Sequence, residues 1–318
     1  MKEITLEQAG KWLREHDNYV ILMHKSPDGD AVGCAYGLSI ALRSIGKKAE
    51  PVCGDPVPEM YSYITDGFEH QCFEAECIIS VDLATVDLLS GEAREYGKRV
   101  DLCIDHHASN TGFAAMGYVE GKAPSCAEIV KKLIEEIQIK ITPDIADALF
   151  TGLCTDTGCF KYSSVTPETH RIAADLMEYG ANSTKICRIM FDSKSRARLD
   201  MEKMVLDTLE YHEDGQIALV QITNDIMERS GAVAGDTEGV ASIPRQIEGV
   251  KIGVTMKEKE NGEYRFSVRT SDDIDASVIC KRFGGGGHRA ASGCSIYADR
   301  ESAKQKMLAV CKEVLKGE

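Results

Sequence analysis

Apolar residues fall in short unbroken runs in the first half of this chain and in alternation in the second. Residues 19–23 (YVILM), 77–82 and 100–104 are apolar at nearly every position and too short for helices. That pattern predicts strands buried on both faces of a parallel sheet. Between and after them the period lengthens. Residues 4–16, 31–45, 84–97 (ATVDLLSGEAREYG), 124–138, 143–153 and 166–180 read as helices. In residues 31–45, Cys34, Leu38, Ala41, Leu42 and Ile45 share one face and Gly46 stops the run. Thr166 can cap its helix, Pro167 suits the first helical position, and Gly180 ends it. Strand–helix alternation over residues 1–185 predicts an α/β domain with a doubly wound, mainly parallel sheet.

Residues 186–212 are strongly charged and predict a helical linker. Beyond them, residues 217–222, 251–258 and 264–271 alternate as antiparallel strands do. Asn261-Gly262 marks a hairpin between the last two. Helices are expected near 275–283 and 299–316. Residues 213–318 thus form a smaller α/β domain with a mixed or antiparallel sheet.

The chain has 318 residues, enough for two domains, with 37 basic against 51 acidic side chains and a net charge of −14. That balance argues against long nucleic acid, which leaves a basic footprint on the proteins that bind it. No apolar run reaches the ~18–20 residues of a membrane span, and the N-terminus lacks the apolar core of a signal peptide. Twelve cysteines without such a leader indicate reduced thiols and a cytoplasmic protein. Cys72/Cys77 and Cys154/Cys159 share a C-x4-C spacing. With no CxxC knuckle, buried apolar cysteines are the favoured reading over a zinc site.

The chemistry lies where the apolar runs stop. The first run meets His24, then Asp28 and Asp30 in MHKSPDGDA; the second meets Asp82; the third meets Asp105-His106-His107; and Asp156 lies in GLCTDTG. Each alone has a plain structural reading. Asp30 and Asp156 can cap helices, Asp82 can sit in a turn, and His24 can be a satisfied, half-buried imidazole. Three titratable groups directly after a buried strand are harder to explain without partners. In an open parallel sheet such strand ends share one edge, where ligands bind. Asp28 and Asp30, two apart in an extended segment, would point the same way. Asp and His suit divalent metals. A carboxylate between two ions can bridge them, and Asp82 is the candidate. Two ions ~3.5–4 Å apart activate water and neutralise a phosphate. Near the other end, four glycines (284–287) precede His288 and Arg289, with Arg269 on the strand before. They predict a loop that grips a phosphate or nucleobase.

Read together, HKSPDGDAVG, SVD, IDHHASN, CTDTGCF and FGGGGHRAASG resemble, in order, the five motifs of the DHH/DHHA1 phosphoesterases, over nearly the whole chain. Size and motif content fit the stand-alone, NrnA-type subgroup. The resemblance implies a metal-dependent enzyme that cleaves very short RNA to mononucleotides and 3′-phosphoadenosine 5′-phosphate (pAp) to AMP. The reaction would be in-line attack of a water activated by two ions, Mn2+ foremost, with Mg2+ and Co2+ also admitted. It further implies that His24, Asp28 and Asp82 hold one ion and that Asp30, Asp82, His106 and Asp156 hold the other. Asp105 would support His106, and His107 would lie near the scissile phosphate. Arg269, Gly286, Gly287 and His288 would bind the substrate. Short RNA and small nucleotides such as pAp and pApA are the implied partners, without long duplexes or membrane. A homodimer is suggested by the family only. Two alternatives stay open: a phosphodiesterase for linear dinucleotides such as pApA, from the cyclic-di-AMP pathway, and a nucleotide-binding regulator without catalysis.

Overall fold

In the computed structural model, which describes residues 1–237, 239–271 and 273–317, the unbroken apolar runs are parallel strands covered on both faces. The chain divides into two units, Met1–Ser193 and Lys194–Glu318. The first begins with β1 (Lys2–Glu3), α1 (Leu6–Glu15), β2 (Tyr19–Leu22), α2 (Gly29–Ser44), β3 (Ala49–Val52) and α3 (Ser62–Thr65). It continues with β4 (Cys77–Val81), α4 (Ala93–Tyr96), β5 (Leu102–Asp105) and β6 (Met116–Val119). Four helices close it: α5 (Cys126–Glu136), α6 (Pro143–Asp156), α7 (Pro167–Glu178) and α8 (Ser183–Cys187). Its six strands are all parallel, in the order β1-β6-β5-β4-β2-β3.

Every residue of β2, β4 and β5 is buried. Tyr19, Ile21, Ile79 and Ile104 enter the larger core with α2, α5 and α6, while Val20, Leu22, Ile78 and Cys103 enter a smaller one on the opposite face. That two-sided burial is why these strands read as runs rather than alternations. The expected helix over 84–97 is mostly not one. The stretch makes a single 3-10 turn at Val86–Leu88 and the one-turn α4. Ser90-Gly91 splits it, and Leu89 and Ala93 are anchored separately in the smaller core.

The second unit opens with α9 (Arg196–Leu206), β7 (Glu210–His212), β8 (Ile217–Ile222), α10 (Asn224–Ser230), β9 (Ile252–Glu258) and β10 (Glu263–Thr270). It ends with α11 (Ala276–Lys281), β11 (Gly286–His288), β12 (Ala291–Tyr297) and α12 (Arg300–Lys316). The division at 193/194 lies inside the charged 186–212 stretch. Met201 and Val205 of α9 pack with Val220 and Ile222 of β8 in the second unit. The sheet order is β11-β12-β10-β9-β8-β7.

The β9–β10 hairpin forms where Asn261-Gly262 predicts it, with Asn261 left-handed at φ 58° and Glu258 opposite Tyr264. The antiparallel expectation fails for one pair. β8 and β9 run parallel, because residues 223–251 form a crossover long enough to return the chain to the same end. Nor is the glycine run wholly loop: Gly286–His288 is the edge strand β11, antiparallel to β12. Among the described residues no helix is long and apolar enough to cross a membrane.

Candidate metal centre and substrate face

In the first sheet, β3 lies on one side of β2 and β4, β5 and β6 on the other. The strand order therefore reverses between β2 and β4, and ligands of open α/β sheets bind beyond the carboxyl ends at such a point. His24 follows β2, Asp82 follows β4, and Asp105 ends β5 with His106 and His107 just beyond. Asp156 arrives differently. It is the last residue of α6, so the fourth carboxylate comes from a helix end and not from the sheet edge or a cap. A carboxylate there opposes the helix dipole.

Asp28 and Asp30 do not lie in an extended segment. Asp28 is the N-cap of α2, accepting from the N–H groups of Asp30 (3.1 Å) and Ala31 (3.0 Å), and Asp30 sits in the first turn. The cap role falls to Asp28, and the two carboxylates part into separate groups. Around His24, the Nε2 atom lies 3.6 Å from Asp28 Oδ1 and 3.8 Å from Asp82 Oδ2. Around His106, Nε2 lies 3.2 Å from Asp156 Oδ2, 3.3 Å from Asp82 Oδ1 and 3.9 Å from Asp30 Oδ2. Asp82 faces both imidazoles, one with each oxygen.

Both rings are turned by backbone. His24 Nδ1–H donates to Lys25 O (2.9 Å) and His106 Nδ1–H to Ala123 O (3.0 Å). A carbonyl only accepts, so Nδ1 carries a proton in either charge state, and when the ring is neutral Nε2 is the lone pair facing the carboxylates. His106 Nε2 and Asp82 Oδ1 are buried and have no hydrogen-bond partner. Buried polar atoms are seldom left so. The donors His24, Asp28 and Asp82 lie within 4.8 Å of one another, as do Asp30, His106 and Asp156. Two borderline-hard donor sets meeting at a buried, unpaired carboxylate oxygen fit divalent cations.

The charges show what cations would relieve. Burial pushes the Asp30 carboxyl well above the usual range, with Asp82 and Asp156 adding repulsion. Burial also raises Asp82, against the pull of His106. Burial opposes a charge on His24, yet Asp28 and Asp82 outweigh it and lift the imidazole to about 9. His106 is raised further by Asp156 and Asp82, again against burial. Asp28 is lowered despite burial, by His24 and the N–H groups it caps. Without cations, protons held on the imidazoles balance the carboxylates.

Several supporting groups escape sequence reasoning. Cys126 N–H and Ala127 N–H, at the start of α5, donate to Asp30 Oδ2 (2.6 Å) and Oδ1 (2.9 Å). Ser125, the N-cap of α5, was the readable signal for that helix start. Gly152 of α6 leaves room for the carboxylate: a Cβ there would sit 2.5 Å from Asp30 Oδ1. Asp105 supports a different ring from the one expected. Its Oδ1 accepts from His107 Nδ1 (2.7 Å) and from the His106 backbone N–H (2.8 Å), while its Oδ2 accepts from Asn110 Nδ2 (2.6 Å). His107 and Asn110 hold Asp105 below the usual range against burial, and Asp105 in turn raises His107. Asn110 stands five residues after Asp105, the last letter of the DHHASN run.

In the second unit, pairing register sorts the expected substrate residues. Directly opposed residues of antiparallel strands project from the same face. His288, Ala291, Arg269 and Gly253 form one such row, and Gly286, Gly293, Ser267 and Thr255 the next. Arg269, Gly286 and His288 therefore share a face. Gly287 pairs with Ser292 and belongs to the other face; its φ of 143° and the 2.6 Å approach of Ala291 O to a would-be Cβ require glycine. The next row places Arg265 directly opposite Lys257. With Lys259, Thr255 and Ser267 they line a cavity of about 170 Å³. Like charges opposite one another are unfavourable alone, and burial with Lys259 and Arg265 lowers Lys257. This cationic row was absent from the sequence expectations, though its i, i+2 spacing across a hairpin is legible.

Residues 18–153 match the DHH family N-terminal domain and residues 214–317 the DHHA1 domain. A bifunctional oligoribonuclease and PAP phosphatase NrnA from Thermus thermophilus is 32% identical over 301 residues, spanning 93% of this chain and 89% of that protein. The chain belongs to the DHH family. The Bacillus subtilis protein of the same name is 26% identical, over 94% of this chain and 96% of its own. An exopolyphosphatase-related protein from Bacteroides fragilis shares the fold, with a TM-score of 0.88, 25% identity and coverage of 97% and 95%. In DHH-family terms, the residues of the carboxylate–imidazole centre from His24 to His107 lie within the span that matches the DHH domain, Asp156 lies just beyond it, and the face bearing Arg269 and His288 lies in the DHHA1 domain.

Proposed function

We propose that this DHH-family protein hydrolyses short oligoribonucleotides to mononucleotides and pAp to AMP, using divalent ions held at the meeting of the two carboxylate–imidazole groups. Family membership makes the chain a hydrolase of phosphoester bonds. The observation that carries the reading is Asp82. It is 2% exposed, faces His24 with one oxygen and His106 with the other, and has Oδ1 unpaired. His24, Asp28 and Asp82 would hold one ion, and Asp30, Asp82, His106 and Asp156 the other, with Mn2+ the expected metal. Bound there, the ions would balance phosphate charge and activate water for in-line attack.

The chain's own groups supply the rest. His107 is protonated more readily for its bond to Asp105, and its side chain is 38% exposed. It would donate a proton or hydrogen bond to a phosphate or leaving oxygen. In the second unit, Arg269 and His288 would bind the substrate's phosphate and nucleotide, with Gly286 keeping the surface open. The names of the relatives favour pAp and short RNA over pApA or a regulatory role.

The test is product release from pAp, pApA, a short oligoribonucleotide and pyrophosphate, with Mn2+ and with chelator. Release from pAp and the short RNA that chelator abolishes is expected. Asp82→Asn should lower it by roughly 10²–10³-fold or more. Hydrolysis of pyrophosphate alone would overturn the reading, and binding of nucleotide without turnover would favour the regulator.

A further inference from the structure

The end of α6 that carries Asp156 also carries Cys154, the turn beyond it carries Cys159, and α8 brings Cys187. Cys187 Sγ lies 3.7 Å from Cys154 Sγ and 3.9 Å from Cys159 Sγ, and all three sulfurs fall within 4.8 Å of one another. Cys154 is buried and the other two are half-buried. Among the described residues this is the one metal-competent group made of sulfur alone. It answers the weakness of the C-x4-C spacing, because the third thiol comes from 28 residues beyond Cys159.

The spacing is informative. Disulfide sulfurs sit ~2.05 Å apart, so these thiols are not bonded. A zinc–sulfur bond is ~2.3 Å, which makes the sulfur–sulfur edge ~3.8 Å in a tetrahedral site and ~4.0 Å in a trigonal one. The two close separations bracket the tetrahedral value and fall just short of the trigonal one. The backbone is shaped to present the ligands. After α6 the chain turns back through Cys159 and Phe160, both with positive φ (56° and 62°), conformations uncommon outside glycine. Cys159 N–H donates to Cys154 O (2.8 Å), and the Thr157 hydroxyl donates to Leu153 O (2.6 Å) while accepting from Phe160 N–H (3.1 Å).

We propose that Cys154, Cys159 and Cys187 form a trithiolate site for a thiophilic ion of the zinc class, distinct from the carboxylate–imidazole centre. Soft sulfur selects ions that the oxygen-rich centre does not prefer, so one chain can sort two kinds of metal. Each thiol gives its proton to solvent on binding. Water or an exogenous thiol completes the coordination. The ion would tie the turn after α6, and with it the helix end bearing Asp156, to α8.

The experiment titrates Cd2+ into reduced full-length protein in excess Mn2+, read by thiolate-to-cadmium charge-transfer absorption in the ultraviolet. Asp and His ligands give no such band. The expected result is a band that saturates at an equimolar amount, is diminished by a large molar excess of Zn2+, survives in Asp82→Asn, and is lost in both Cys187→Ser and Cys159→Ser. Circular dichroism reports folding, and the half-exposed Cys159 variant answers if the Cys187 variant does not fold. Absence of the band in wild type, or full retention in the folded serine variants, would overturn the proposal.

Discussion

Replacing Gly152 by Ala sets one methyl group against the carboxylate that sits between α2, α5 and α6. The new Cβ would lie 2.5 Å from Asp30 Oδ1, 2.9 Å from Ala127 Cβ and 3.1 Å from Asp30 Cα. Asp30 is fully buried and held by two backbone N–H groups, so it has nowhere to swing. In an exposed helix interior, Gly→Ala stabilises by ~0.8–1 kcal/mol. Overpacking of a core costs ~1–3 kcal/mol, which leaves a net loss of only ~0–2 kcal/mol in fold stability. The centre should suffer more. Displacing Asp30 strains two charge-assisted hydrogen bonds worth ~1.5–3 kcal/mol each. Loss of such support around a metal ligand lowers affinity ~10–100-fold, about 1.4–2.7 kcal/mol. The assay is pAp hydrolysis against Mn2+ concentration, with thermal unfolding in chelator alongside. A small fall in Tm and a ~10–100-fold rise in half-saturating Mn2+ are expected. Gly37→Ala is the control: on α2 the atoms nearest its Cβ belong to the Leu149 and Ala148 side chains, at 3.2 Å or more. A Gly152→Ala enzyme with wild-type Mn2+ dependence would refute the idea that Asp30 is held for a cation.

Other consequences are as direct. His24, lifted to about 9 from its ordinary value of about 6.5, adds stability that is complete below that ordinary value and lost as pH rises through about 9. His106, His107 and Asp30 are also raised and act with the same sign. The chelated protein should lose Tm across that window while the Mn2+-induced gain grows, since binding needs His24 deprotonated; melting curves whose separation stays constant with pH would contradict this. Asn110→Ala removes the 2.6 Å bond to Asp105, so Asp105 takes a proton more readily and supports His107 less. The limb of the pH–rate profile set by His107 should then move to lower pH with Mn2+ half-saturation unchanged, and an unshifted limb would separate Asn110 from catalysis. Gly287→Ala forces a side chain onto φ 143° against Ala291 O, a local strain of roughly 1–3 kcal/mol that should loosen β11. KM for pAp should rise while the Mn2+ dependence of melting stays, and an unchanged KM would remove β11 from substrate binding.

The parts of this fold that burial dictates were legible in the chain. The runs at 19–23, 77–82 and 100–104 had to be two-sided strands, and the residues at their ends had to share an edge, because parallel strands align their carboxyl termini. What local pattern could not carry was the contribution of residues distant in sequence. Asp156 stands out as a fourth candidate, but how it joins the others does not: it reaches the centre because α6 packs along α2 and ends beside His106. Asp28 and Asp30 look equivalent, and only the start of α2 between them sends one toward His24 and the other toward the N–H groups of α5. The direction of β8 against β9 depends on where a long crossover returns. The face occupied by Gly287 depends on a register set by its partner strand. Asp105 illustrates the same limit at short range. The family resemblance implied His106, but a side chain two residues on is the one its carboxylate meets.

The energetic character of the centre argues for its purpose independently of any relative. Asp82 is a non-glycine residue at φ 51°, buried, with an oxygen left unpaired. Asp30 is buried beside two further carboxylates, and Asp156 ends a helix whose dipole repels it. Each arrangement opposes folding: left-handed backbone by roughly 1–3 kcal/mol, an unsatisfied buried acceptor by a similar amount. Nothing in the packing of the sheet requires them. Asparagine or glycine would sit more easily at Asp82, and an alanine at Asp156 would relieve the helix end. Such strain gathered at one strand switch point is the mark of a site shaped around charges supplied from outside the chain. Two cations between these carboxylates would convert the repulsion into binding energy and cancel the charge of the four aspartates, so that the centre no longer repels an incoming phosphate.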